Sequence, residues 1–597
     1  MKVYDHIFLP IFVLGFILFC AGTTFNEELN REKPFRHIST GGGVIDVPDG
    51  SKMDLREKRA ASVDAWDFEC HAHAPKTEGP KVQTSYGAMQ GLITDMVYIF
   101  YGIPYADPPV GALRWKPPST VTSWKGVYDA TFPRAACMQS CVDPCATKVS
   151  EDCLYLNIFV PLNVNFSTPP SEPMPVMVWI HGGDFVAGSA SNTLYDGRFI
   201  SNFTHTVVVS VEYRLGAFGF LVSGKDPKTA AVGNFGILDQ QAALLWVQQN
   251  IAVFGGDPNK VTIFGESAGA QSVSLHLMLQ NSQPLFQQAV IQSLPFTMPL
   301  KSRHEALWLG KEFAKVANCS INDIACLLCL SPQAVLTAQM IAGSNMVNPF
   351  HLLEMFQTWG PFIDGVLIKE QPITAFQRGD WQKEKPLLLG TTSEEGVVFI
   401  YGVFNYPVSQ VESVFYTTAI FKQHTLKILQ KYMPLYKDTD LRVMMSQIVT
   451  DYMFLCPSRK SARDSAQMGS AVWMYVFDHV ISDHRVWDGL AFCFEHVCHS
   501  AEVPFLFDSG PVANFTLSPA EELLAGSILC YWGTFAHGGD PTSPVAQSAF
   551  CQRQSPPPWP QYTDANNWLV MNLTLSSHAQ TSSRDHICDF WDKLHIY

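Results

Sequence analysis

Ser267 stands in Gly265-Glu-Ser-Ala-Gly269, and its flanks give that serine a chemical reading. Val261-Thr-Ile-Phe264 before it is β-branched and aromatic, which suits a strand, while Ala270 to Leu279 after it has a helical pattern. A strand that turns at once into a helix leaves little room around the serine, so Gly265 and Gly269 are expected where side chains would collide. Such a turn holds the Ser267 hydroxyl out at the carboxyl edge of a sheet, within reach of a base. The chemistry on offer is nucleophilic attack on a carbonyl carbon, with the serine as temporary acyl carrier. The plain alternative is a glycine-flanked turn serine, and the strand-before, helix-after setting argues against it.

Acyl transfer also needs donors for the developing oxyanion, a base and a carboxylate to orient the base. At Trp179-Ile-His-Gly-Gly-Asp-Phe185 an apolar strand empties into a small-residue loop. The backbone N–H groups of Gly182, Gly183 and Asp184, with that of Ala268 after the serine, can face the oxygen of a tetrahedral intermediate. Chain order in this arrangement is serine, acid, histidine. Candidate acids follow Leu387-Leu-Leu-Gly390, in Thr391-Thr-Ser-Glu-Glu-Gly396. Candidate bases follow the strand Val472–Phe477: His479, His484, His496 and His499. Residue chemistry leaves the choice among these four open.

The elements that must position these groups read as α/β. Met96–Tyr101, Leu154–Val160, Val176–Ile180, Thr206–Val211, Leu387–Leu389 and Val472–Phe477 are short apolar runs. The central ones are nearly unbroken, as expected of strands covered on both faces. Asp239–Gln249 and Leu523–Phe535 carry helical patterns. The expected fold is a central, mostly parallel, twisted sheet with helices on both faces, in one large domain over residues 80–597. The 597 residues are 47% hydrophobic and 16% charged, enough apolar material for a large core. A formal net charge of −14 without any Lys/Arg run argues against a nucleic-acid partner.

The amino terminus reads as an address. Lys2 precedes an apolar run from Ile7 to Phe19 that ends in Cys20-Ala-Gly22, which suits a signal peptide over residues 1–22 and is short for a membrane span. Residues 23–79 are polar, mixed in charge and without periodicity, as in an extension outside the core. Within it, Arg56-Glu-Lys-Arg59 has the form of a basic processing site or of an ordinary charged patch, and Cys70-His-Ala-His73 lacks the second ligand pair of a metal site. Losing Cys20 from the 15 cysteines leaves an even number that can pair in an oxidising compartment. N-x-S/T sequons at Asn165, Asn202, Asn514 and Asn572 agree with export, and a fifth, at Asn318, abuts Cys319. A secreted or secretory-lumen location, with no stable membrane span once the signal is removed, follows as the expectation.

From about Ser85 to Trp591 the chain resembles the type-B carboxylesterase and cholinesterase family of α/β-hydrolases. The resemblance rests on Tyr101-Gly-Ile-Pro-Tyr-Ala, Ser150-Glu-Asp-Cys-Leu-Tyr-Leu-Asn157, Trp179-Ile-His-Gly-Gly, Asn250-Ile-Ala-Val-Phe-Gly-Gly-Asp-Pro-Asn259, Gly265-Glu-Ser-Ala-Gly269 and Cys588-Asp-Phe-Trp591, all in order. It implies Glu395 as the acid and His499, in His-Ser-Ala-Glu-Val-Pro504, as the base, with Glu394 and His496 as neighbours of no special role. It also implies a small-molecule ester substrate, no metal or cofactor, and disulfides Cys137–Cys153, Cys319–Cys326 and Cys456–Cys588. Cys493 and Cys498 bracket the approach to His499, where a bridge would stiffen it.

The chain departs from that family in two places. The oxyanion loop usually reads Gly-Gly-Gly, and here it is Gly182-Gly183-Asp184. A carboxylate about 4 Å from the oxyanion, at an effective dielectric of about 20, repels it by on the order of 4 kcal/mol. Losing one donor costs roughly 2.7–4 kcal/mol. Either effect slows ester hydrolysis about a hundred- to a thousandfold unless the side chain points away, is protonated or serves as a second base. Secondly, the loop from Cys137 to Cys153 lacks the aromatic residue that faces a quaternary ammonium in cholinesterases, which disfavours acetylcholine. The expectation is therefore a secreted serine esterase closer to a general carboxylesterase, with an impaired adhesion or recognition protein on the same scaffold as the alternative.

Overall fold

A computed structural model describes residues 77–140, 148–168, 171–345, 357–436, 439–544 and 547–597. The expected signal peptide, nearly all of the extension with Arg59 and Cys70, and Cys141 and Cys145 lie outside the described residues.

Strands β1 (Thr77–Gln83), β2 (Ala88–Ile93), β3 (Val97–Pro104), β4 (Val127–Asp129), β5 (Tyr155–Pro161), β6 (Met174–Ile180), β7 (Val207–Val211), β8 (Gly256–Glu266), β9 (Gln288–Gln292), β10 (Leu387–Thr392), β11 (Val472–Phe477), β12 (Leu569–Leu573) and β13 (His578–Thr581) share one sheet. Their spatial order is β1-β2-β3-β5-β7-β6-β8-β9-β10-β11-β12-β13, with β4 beside β2. From β7 to β12 every neighbour runs parallel. The flanking pairs, from β1 through β5 to β7 and from β12 to β13, are antiparallel. The helices that matter for the site are α1 (Phe235–Asn250), α2 (Ala268–Met278), α3 (Gly396–Val403), α4 (Arg442–Val449), α5 (Cys456–Gln467), α6 (Pro519–Gly538) and α7 (Asp585–Leu594).

Alternation along the central strands explains the layers. Every residue of β6, β7 and β10 is buried, so neither face can meet water. Val176, Val178 and Ile180 of β6 join Val261 and Ile263 of β8 in a core capped by Ala270 and Val273 of α2 and Ile237 of α1. Met177 and Trp179 turn the other way, joining Phe264 in a second core capped by Ile528 and Trp532 of α6. Successive side chains point to opposite faces, so one strand feeds both cores. This is the expected α/β-hydrolase architecture.

Two boundaries differ from the sequence reading. The sheet begins at Thr77, already inside the stretch read as extension, because Glu78 pairs with Leu92 and Lys81 with Gln90 across an irregular register. Helix α6 starts at Pro519 instead of Leu523, because Ser518 and Glu521 form a reciprocal capping box ahead of the apolar stripe.

Pairing register sets the site's location. Gly265 of β8 lies opposite Ile180 of β6, Glu266 opposite Gln292 of β9, Gln292 opposite Gly390 of β10, and Thr392 opposite Phe477 of β11. The carboxyl ends of β6, β8, β9, β10 and β11 thus meet along one edge, where open α/β sheets bind ligands. Disulfides join Cys137 to Cys153, Cys319 to Cys326, Cys456 to Cys588, Cys493 to Cys498 and Cys530 to Cys551. The Cys530–Cys551 bridge had no counterpart in the sequence reading.

Candidate active site

Ser267 is the single residue between β8 and α2, at φ 59° and ψ −120°. A non-glycine residue held there stores about 1–3 kcal/mol of strain. Its N–H donates to the Gln292 carbonyl at 3.0 Å and its own carbonyl accepts from Gln271 at 2.9 Å, which fixes the turn from both sides. A Cβ on Gly265 would lie 2.6 Å from the Gly269 carbonyl carbon, the collision within the turn that the sequence led one to expect, and the neighbouring strand adds a second obstacle. A Cβ on Gly269 would lie 2.0 Å from the Ile180 carbonyl oxygen, and one on Gly265 would lie 2.7 Å from the same atom. This second obstacle is the backbone of that strand, against which the start of α2 is pressed.

The loop after β6 lies beside that turn. A Cβ on Gly182 would be 3.2 Å from the Ser267 Cβ and 2.8 Å from the Glu266 carbonyl oxygen, so only a bare backbone fits. Gly183, Asp184 and Phe185 follow at φ 105°, 54° and 58°. The Gly183 carbonyl accepts from Val186 and Ala187, both at 3.0 Å, closing the bend. Ala268 heads α2, where an N–H has no partner within its own helix. His181 is fully buried, stacks on Tyr213 at 4.5 Å, and is held neutral by burial, its pKa lowered to about 4. Burial raises the Asp184 carboxyl well above the ordinary carboxylate value, and Lys301 pulls against it. Lys301 is itself buried and donates to the Gln357 carbonyl, while the Gln357 amide donates to Gln271 of α2 at 2.5 Å.

The structure separates the four candidate histidines. His499 Nδ1 meets Glu395 Oε2 at 2.5 Å, and both residues are buried. Glu395 Oε1 accepts from the Thr392 N–H at 2.7 Å, so the acid is gripped by the end of β10. His496 Nδ1 pairs instead with Glu394 at 2.9 Å, and the Val497 N–H donates to the same carboxylate. His479 pairs with Glu521 at 3.0 Å, and His484 stacks on Phe494 at 4.3 Å. The Cys493–Cys498 bridge closes the short loop that delivers His499.

Sequence reasoning missed the second side of the imidazole. His499 Nε2 stands 3.0 Å from Glu266 Oε1, off the line of a hydrogen bond, and has no hydrogen-bond partner among the described residues. Ser500 Oγ donates to that Glu266 oxygen at 2.6 Å. Glu502 is buried behind it and accepts from Gln292 and Tyr475, both at 3.2 Å. Burial acts against a charged His499, but Glu266 and then Glu395 outweigh it, and the imidazole pKa is pushed up to about 9. Burial likewise raises Glu266, opposed by His499, and raises Glu502 to about 7. Glu266, Ser500 and Glu502 were all visible inside quoted motifs, but nothing in their spacing assigned them to the histidine. The rings of Phe399 and Phe454 each lie 5.3 Å from the imidazole, and Phe454 had no sequence signal.

The sequence pattern of the Carboxylesterase family matches residues 78–591. Similar proteins include the "Crystal protein" of Dictyostelium discoideum, 36% identical over 86% of this chain and 91% of that protein. The "cAMP-regulated D2 protein" of the same organism is 33% identical over 87% of this chain and 94% of its own. The "Acetylcholinesterase" of Bungarus fasciatus is 35% identical over 88% of each.

Proposed function

Since the chain belongs to the carboxylesterase family, we propose that it is a secreted serine esterase that cleaves small carboxylic esters through an acyl-Ser267 intermediate. The observation that carries this reading is the pairing of His499 with Glu395 at 2.5 Å beside a strained serine turn. Neutral His499 takes the Ser267 proton as Oγ attacks the ester carbon, and Glu395 orients the imidazole and stabilises its charged form. The N–H groups of Ala268 and of the Gly182–Asp184 loop bind the oxyanion. The alcohol leaves with the proton from His499, and water then repeats the sequence on the acyl-enzyme.

Export is supported by five disulfides among the described residues and by the sequons. Asn165, Asn202, Asn318 and Asn514 are exposed, whereas Asn572 is half-buried on β12. Among the described residues no helix is long and apolar enough to cross a membrane.

Asp184 favours a second reading, a recognition protein on the same scaffold with weakened catalysis. Two similar proteins carry names that mention no ester chemistry, the "Crystal protein" and the "cAMP-regulated D2 protein". Labelling with a fluorophosphonate probe, together with a chromogenic ester panel, separates the two. Labelling and turnover that vanish in Ser267→Ala support the esterase; a serine that never reacts supports the recognition protein.

A further inference from the structure

Between α4 and α5 the chain makes a π-helical turn, Thr450–Leu455, that is buried at every residue. Such widened turns are rare and recur at functional sites. Residues four apart on a helical turn share a face, and here Thr450 and Phe454 do so. Thr450 Oγ1 accepts from the Gly396 N–H at 2.9 Å while donating to the Ser446 carbonyl at 2.9 Å. Gly396 directly follows Glu395, and a Cβ there would lie 1.9 Å from the Ser446 oxygen, so the acid's backbone is pressed against the end of α4. Phe454 packs its ring 5.3 Å from His499 and 5.6 Å from Phe399, which is itself 5.3 Å from His499, so the two rings sit side by side against the imidazole. The ends of the turn are anchored separately. Asp451 is buried and takes Arg584 and the Tyr432 hydroxyl, and Cys456, the next residue after the turn, is bridged to Cys588.

We propose that this π-helical turn is the positioning device for both halves of the acid–base pair, with Thr450 fixing the acid's backbone and Phe454 fixing the plane of the base. The proposal rests on the reading of Glu395 and His499 as acid and base. Neither Thr450 nor Phe454 touches the reacting atoms; each acts through its neighbour. A small displacement of a catalytic group is enough to slow chemistry strongly without altering substrate binding, which separates positioning from mere packing. Phe454 also excludes water from an imidazole that faces the carboxylates of Glu266, Glu395 and Glu502.

The test uses the full mature chain carrying Thr450→Val, Thr450→Ser, Phe454→Ala or Phe454→Leu, each checked for folding by its melting transition. With a chromogenic acetyl ester, Thr450→Val and both Phe454 variants should lose about tenfold or more in kcat with KM within about threefold. Thr450→Ser, which keeps the hydroxyl, should restore turnover. Independently of activity, a histidine-resolved NMR titration should show the His499 midpoint displaced in Phe454→Ala, because admitted water both relieves the burial that lowers it and screens the carboxylates that raise it. Folded variants with wild-type kcat and an unmoved His499 titration would overturn the proposal. Absence of Ser267-dependent turnover in the wild type would remove the esterase reading, and the NMR titration would still judge the positioning role.

Discussion

His499 Nε2 lies 3.0 Å from Oε1 of Glu266, the residue immediately before Ser267. Under the proposed mechanism, the nitrogen that would receive the Ser267 proton is therefore faced at rest by a carboxylate from the turn that carries Ser267. That carboxylate favours the protonated imidazole, which cannot act as a base, so on the proposed reading base activity would be gained only as the imidazole deprotonates.

The pH dependence follows directly. For an ester with rate-limiting acylation, kcat/KM should rise with pH through a midpoint near the His499 value of about 9. Glu266→Gln should bring that midpoint down towards the ordinary histidine value of about 6.5. Stopped-flow or steady-state profiles between pH 5 and 10 measure both, and identical midpoints near neutrality in the two proteins would refute the coupling.

The same cluster makes stability fall as pH rises. His499 titrates above its unfolded value, so its contribution is complete below about 6.5 and is lost as pH climbs through about 9. Glu502, raised to about 7, acts in the same direction, since the folded state holds its proton more tightly than the unfolded chain. Urea unfolding of the intact protein should show decreasing stability from pH 6 to pH 9, with a smaller decrease in Glu502→Gln. A stability that increases over that interval would contradict the assignment.

Asp184 offers a sharper comparison. Burial raises the Asp184 carboxyl well above the ordinary value while Lys301 pulls against it, which favours the neutral side chain over the charged one that would repel the oxyanion. Asp184→Asn should then leave turnover of a small aryl ester within about threefold at pH 7, well under the thousandfold that a charge repulsion of about 4 kcal/mol would produce. Asp184→Gly should raise turnover more at high pH than at low pH, because the charged fraction of the wild-type carboxyl grows with pH. A large gain for Asn or Gly at pH 6 would show that the side chain is ionised there.

The carboxyl-terminal helix supplies a test of stability. Arg459 of α5 is 2% exposed and holds Asp585, Asp589 and Asp592 along α7 at 2.8, 2.6 and 2.8 Å. The three aspartates are themselves 32, 54 and 28% exposed, so Arg459→Met leaves no buried charge behind and should cost roughly 1.5–3 kcal/mol, the worth of hydrogen bonds to charged groups. The Cys456–Cys588 bridge closes a separation of 132 residues, and Cys493–Cys498 one of 5. By chain entropy the first is worth about 5 kcal/mol and the second about 2 kcal/mol, so replacing the long bridge by serines should lower the denaturant midpoint further. Equal losses would point to native-state strain as the dominant effect.

Much of the fold was legible because apolar alternation and unbroken apolar runs are local signals. β11 matches the sequence reading to the residue, and β6, β7 and the turn at Ser267 match it within a few, since a strand covered on both faces is nearly continuously apolar, with Ser210 of β7 the exception. Helix α6 was read late because its start is set by the Ser518–Glu521 cap, not by its apolar stripe. The choice of His499 over His479, His484 and His496 came from resemblance. The structure distinguishes them only through which carboxylate each one meets.

The sequence by itself determined the α/β architecture and the glycines at the turn, because each is written in periodicity or in a short motif, and it placed the candidate serine, acids and histidines in order along the chain. Tertiary structure alone decided that Glu266 faces the imidazole, that Gly269 is required by the Ile180 carbonyl, and that a π-helical turn from far along the chain grips Gly396 and His499. Those relationships join segments separated by up to hundreds of residues, and they arise from which strands lie side by side and from how helices pack over the sheet's edge, neither of which a local pattern specifies.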